Sequence, residues 1–190
     1  MFESCEYLNK EYIHRGQQMK LSILHCPDKD FRPYVQRSVN FYAEYLIPSK
    51  KLRDNLKLTI NFNENLSVWA YASIEDYNSS NKARDFLIEI HPWIGAKEIL
   101  KTLAHEMVHI KQFVNGETNS RLSKWKGVPI NPDTIDYYSH PWEMEAYSIE
   151  VGLFTKFAIK EELWNVFEEI SNPMAPIINE KIKWKSDKSI

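Results

Sequence analysis

Residues 96–114 read Ala96-Lys97-Glu98-Ile99-Leu100-Lys101-Thr102-Leu103-Ala104-His105-Glu106-Met107-Val108-His109-Ile110-Lys111-Gln112-Phe113-Val114. Ile99, Leu103, Met107, Ile110 and Val114 recur at helical spacing and form one apolar stripe, so the segment reads as an amphipathic helix. Asn115-Gly116 stops it, because glycine readily takes the left-handed conformation that a helix end requires. His105, Glu106 and His109 lie beside the stripe rather than inside it.

Four residues make about one helical turn, so both imidazoles project from one face. Two neutral ring nitrogens placed this way can reach a single Zn²⁺ at about 2.0–2.1 Å. Glu106 is turned by about 100° from His105. It can reach a water on the metal without being a ligand, which is the position of a general base. A short match of this kind also arises by chance; its place on a helix that follows a strand-like run adds weight to it.

A catalytic zinc needs a third protein ligand and one open position. A later helix, beginning near Pro141 and running to about Lys160, offers Glu143 and Glu145. With Trp142 set at zero and about 100° per residue, Ala146, Leu153 and Phe157 fall between about 20° and 60°. Glu143 falls at about 100° and Glu150 at about 80°, within the apolar sector, while Glu145 falls at about 300° beside Lys156 and Ser148. A carboxylate on an apolar face is costly unless it is paired or bound to metal. Glu143 is therefore the expected third ligand and Glu150 a candidate supporting group. Two solvated glutamates are the plain alternative. His140, just before Pro141, is the rival third ligand, and Glu145 remains open as another. His91 reads as a strand-end residue, and His14 and His25 lie in segments without metal spacing.

The order His-Glu-x-x-His, a loop, then Glu-x-Glu-Ala on a later helix resembles the gluzincin metallopeptidases. His105–Gln112, Trp125-Lys126-Gly127 and Pro141–Ala146 are also similar to short phage-encoded proteins grouped as SprT-like metallopeptidases. The resemblance covers roughly residues 85–155 and implies a zincin-like fold. It carries the third ligand onto Glu143. The acid that orients the first histidine in gluzincins would fall four residues later, where this chain has Tyr147. The SprT group uses a third histidine, which keeps His140 in play.

Upstream, apolar residues from Phe31 to Leu46 recur at helical spacing, and Pro48 ends that helix. Leu56–Phe62 alternates with period two, Val68–Ile74 is aromatic and β-branched, and Asp85–Ile90 is a third strand. Asn78–Asn81 reads as a turn between them. Met19–Leu24 is either a short strand or a second start of translation. Strands grouped ahead of helices give α+β, with a small antiparallel or mixed sheet of about three to four strands and helices packed on it. Phe86–Ile90 is the expected sheet edge beside the cleft, where an extended peptide can pair. Downstream, Trp125–Val128 suggests a hairpin over the site, and Tyr137 and Tyr138 follow it. Tyr138 is the candidate for stabilising an oxyanion; both tyrosines are otherwise packing aromatics. A further helix is expected over about Glu161–Ile170. Residues 31–172 form one expected domain, with an N-terminal segment (1–30) and a charged tail (173–190).

Composition narrows the functional classes. An apolar fraction of 43% supports a core, and a net charge of −2 argues against nucleic-acid binding through a broad basic surface. No apolar run approaches the roughly 18 residues of a membrane span, and Met1–Glu6 lacks the order of a signal peptide. Cys5 and Cys26 read as reduced thiols, so a cytoplasmic site is expected. The expected activity is peptide-bond hydrolysis on a peptide or protein substrate, with one Zn²⁺ per chain and Glu106 as base. The alternatives are a zinc-stapled binding or structural protein and an amidase acting on cell-wall peptide.

Overall fold

A computed structural model of the chain describes residues 19–75 and 83–163. The expected turn at Asn78–Asn81 lies outside them, as does most of the helix expected over Glu161–Ile170. The elements run β1 (Lys20–Leu24), α1 (Arg32–Leu46), α2 (Lys50–Asp54), β2 (Lys57–Phe62), β3 (Ala70–Ile74), β4 (Asp85–Ile90), α3 (Ala96–Val114), β5 (Lys124–Trp125), β6 (Val128–Pro129) and α4 (Pro141–Lys160), with short 3-10 turns at Pro92–Ile94, Pro132–Thr134 and Tyr137–Ser139. This is an α+β arrangement around a mixed sheet.

The main sheet has the order β1-β2-β4-β3, with β1, β2 and β4 parallel and β3 antiparallel to β4. Alternation sets which face is inside. Leu58, Ile60 and Phe62 of β2 and Phe86, Ile88 and Ile90 of β4 are all buried, whereas Lys57, Thr59, Asn61, Asp85, Leu87 and Glu89 take the other face. The helices cover the buried face. The Tyr42 hydroxyl of α1 donates to the Leu100 carbonyl of α3 at 3.0 Å, and Phe157 of α4 meets Tyr42 edge-on at 5.6 Å. Each such fully buried large side chain contributes about 1.5–3 kcal/mol.

One expectation is corrected. Phe86–Ile90 is not the sheet edge: β4 is interior, between β2 and β3, and the edge beside α3 is β3. The reason lies in burial. β4 places three large apolar residues on the helix-covered face, while β3 places the smaller Ala70 and Ala72 there, which leaves room for the metal-motif helix. Glu89 holds the register of this edge from the outer face. It accepts from Asn61 and Asn63 at 3.0 Å each and from the Tyr71 hydroxyl of β3.

The two long helices end as their sequences require. Past α3, Gly116 has φ +70, its N–H donates to the Phe113 carbonyl, and the Glu117 N–H donates to the Gln112 carbonyl at 2.9 Å. This paired closure satisfies carbonyls left free at a helix end. Past α4, Glu162 takes the same left-handed turn with φ +56, and Leu163 N–H reaches the Ala158 carbonyl. Among the described residues no helix is long and apolar enough to cross a membrane.

Candidate metal centre

His105 and His109 stand one turn apart on α3 and face Glu143 in the first turn of α4. The two Nε2 atoms are 3.1 Å apart. Glu143 Oε2 lies 3.3 Å from His105 Nε2, and Oε1 lies 3.5 Å from His109 Nε2. A tetrahedral ion with ligand bonds near 2.0–2.1 Å separates its ligand atoms by about 3.3 Å. All three separations are close to that edge length. Glu143 is buried, and its Oε2 has no hydrogen-bond partner in spite of its distance from His105. Two imidazole nitrogens against the two oxygens of one carboxylate, one of those oxygens buried and without a hydrogen-bond partner, fit a shared cation. This buried group of His105, His109 and Glu143 can hold a metal ion.

The charges respond to one another. Burial raises the Glu143 carboxyl, but the adjacent imidazoles of His105 and His109 outweigh it and hold it at about 2. Burial lowers His105, yet the carboxylates of Glu143 and Glu150 raise it to about 9. His109 is shifted upward by the same balance, with Glu143 as its main carboxylate partner.

Glu150 occupies the place left open by Tyr147. Its Oε2 accepts from His105 Nδ1 at 2.8 Å, two helical turns beyond Glu143 on the same face of α4. A histidine ligand usually donates its second nitrogen to such a partner, which fixes the ring. Tyr147 packs its ring on the His105 imidazole instead, with centroids 4.6 Å apart. His109 Nδ1 is held at 3.0 Å by Gln112 Oε1, a contact the sequence reading did not single out. The three-residue helical spacing was the available signal.

Glu106 is buried and points toward the edge strand. Burial raises its carboxyl, while the charges of His109 and His105 and the backbone amide of Ala72 counter that effect. Ladder bonds from Glu75 N–H to the Asp85 carbonyl and from His91 N–H to the Trp69 carbonyl show which β3 residues pair with β4. Alternation therefore leaves Ala70, Ala72 and Ile74 with their backbone groups directed away from β4. Ala72 thus has its N–H free to serve Glu106.

The remaining candidates are not in the cluster. Glu145 pairs with Lys111 at 3.0 Å and Lys126 at 2.9 Å. His140 donates from Nε2 to the Pro132 carbonyl at 3.1 Å and stacks on Trp142. His91 accepts from the Trp93 N–H, and His25 bonds Asn61. Tyr138 is 70% exposed, its ring against Tyr137 and Tyr147. Tyr137 stands nearer: burial, the Glu143 charge and a hydrogen bond to Glu143 push its phenol upward. The β5–β6 hairpin turns on Lys126 (φ +46) and Gly127 (φ +89), the two left-handed residues of a type I′ turn. Trp125 packs edge-on against Trp142 at the start of α4.

No protein-family model, curated protein or solved structure matches this chain.

Proposed function

We propose that the chain is a zinc-dependent metallopeptidase of the HExxH type, zincin-like and of the gluzincin kind, with affinity to the SprT-like group. The observation that carries this reading is the gathering of the His105 and His109 Nε2 atoms against the Glu143 carboxylate, with a buried Glu106 outside that group.

His105, His109 and Glu143 hold the metal, and Glu150 and Gln112 orient the two imidazoles. When bound, zinc polarises the scissile carbonyl and lowers the pKa of a water to about 7. Glu106 takes the proton of the attacking water and passes it to the leaving amine. Its burial, which raises its carboxyl, suits it to both halves of that task. The outward N–H and C=O groups of Ala70 and Ile74, with the Ala72 carbonyl, give an extended peptide an edge to pair with. Tyr137 stands close enough to Glu143 to act on a developing oxyanion, a role the sequence reading gave to Tyr138.

The test is Glu106→Gln, which keeps size and shape and removes basicity. The variant should fold, bind zinc as wild type does, and cleave an unfolded casein-like substrate at least about 10²–10⁴-fold more slowly. Equal cleavage by the variant would refute the hydrolytic mechanism. A zinc-binding chain with no cleavage in either form would favour a structural staple.

A further inference from the structure

Gln112 is fully buried on α3, three residues beyond His109. Its side-chain amide makes three hydrogen bonds. Nε2 donates to the Trp142 carbonyl at 3.0 Å and to Glu145 Oε2 at 3.0 Å. Glu145 is kept anionic there by Lys111 and Lys126. A carbonyl and a carboxylate offer no proton, so only the NH₂ end of the amide can face them. This decides the orientation of the group. The Oε1 end must face His109 Nδ1, 3.0 Å away. An amide oxygen only accepts, so Nδ1 carries a proton, and in the neutral ring that a metal requires the lone pair is on Nε2. That Nε2 is the atom turned toward His105 Nε2 and Glu143 Oε1.

We propose that Gln112 is a positioning residue: clamped by Trp142 and Glu145, it holds His109 in the one tautomer whose Nε2 can bind the metal. The proposal rests on the metal-centre reading above. It gives Glu145 an indirect part in the site, and it makes the two imidazoles unequal, since His105 leans on a carboxylate and His109 on a neutral amide.

Zinc affinity, measured by competition with a chelating dye, tests it on the full chain. Gln112→Leu removes both ends of the amide at similar volume. Zinc affinity should fall about 10–100-fold, the range typical of partners to ligating histidines. Gln112→Glu alone would set a second carboxylate against Glu145, so it is paired with Glu145→Gln. The swap keeps an acceptor toward His109 and restores a donor–acceptor contact between positions 112 and 145, and this double variant should bind zinc more tightly than Gln112→Leu. A residue that merely filled space would show no loss in leucine and no recovery in the swap. Leucine binding as tightly as wild type, or the double variant binding no better than leucine, overturns the proposal. The wild-type protein supplies a reading that needs no variant. A long-range proton–nitrogen correlation spectrum of the zinc-loaded chain should show His109 protonated at Nδ1; protonation at Nε2 overturns the proposal. A wild type that takes up no zinc removes the metal-centre reading and this assignment together. A wild type that binds zinc while Gln112→Leu matches it removes the role of Gln112 alone.

Discussion

Glu143 and Glu145 stand two residues apart on α4 and meet different surroundings. Helical rotation turns the first onto the buried face and the second toward Lys111 and Lys126. The rotation of about 100° per residue is enough to make this distinction. It does not show that Glu145 reaches back to His109 through Gln112, because that link needs α3 and α4 packed together. Glu143→Ala should therefore abolish most zinc binding. Glu145→Ala should weaken it by no more than the about 10–100-fold typical of an outer partner. Metal content after dialysis, read for both variants, checks the order; a larger loss for Glu145→Ala would mean that Glu143 is not a ligand.

The edge strand carries a sharper consequence at the level of elements. Ala72 lies at a position of β3 whose N–H turns away from β4, and Ser73 lies at one whose N–H enters the ladder. Proline is tolerated on an edge strand where its missing N–H would have faced outward. Ala72→Pro should thus leave the melting temperature within a few degrees of wild type. It should still cut peptide cleavage by an order of magnitude or more, since it removes the N–H that Glu106 accepts from. Ser73→Pro should instead destabilise the fold, losing a ladder bond of about 1 kcal/mol and the strand geometry with it. Thermal melts and a cleavage assay on both variants make the comparison. Full activity in a folded Ala72→Pro would show that the Ala72 N–H gives Glu106 no support in the reaction.

At the scale of the whole molecule, the centre joins α3 to α4, and α3 also packs against α1 and β3. An ion bound there stabilises the folded chain by mass action. Zinc at about 100 times its dissociation constant adds about 2.7 kcal/mol, which for a domain of this size is a rise of roughly 5–10 °C in melting temperature. A chelator should reverse that rise in wild type and leave His109→Ala unmoved; an identical melt with and without chelator would remove the ion from the fold. What the sequence determined by itself is local. The extents of α3 and α4, the pairing of His105 with His109, the inward phase of Glu143 and Glu150, and the buried faces of β2 and β4 all follow from periods of 3.6 and 2 within one segment. What only the tertiary structure decided is which segments meet. Asp85–Ile90 reads as a strand in any setting, but its interior place depends on β2 and β3 arriving on either side. Tyr137 and Tyr138 are neighbours with like side chains, both exposed, and the packing of the Tyr137–Ser139 turn against α4 brings only the first to Glu143. Glu150 and His105 are 45 positions apart, and no local period records their contact. Periodicity constrains a residue's direction about its own axis; the partner at the end of that direction is set by how the axes pack.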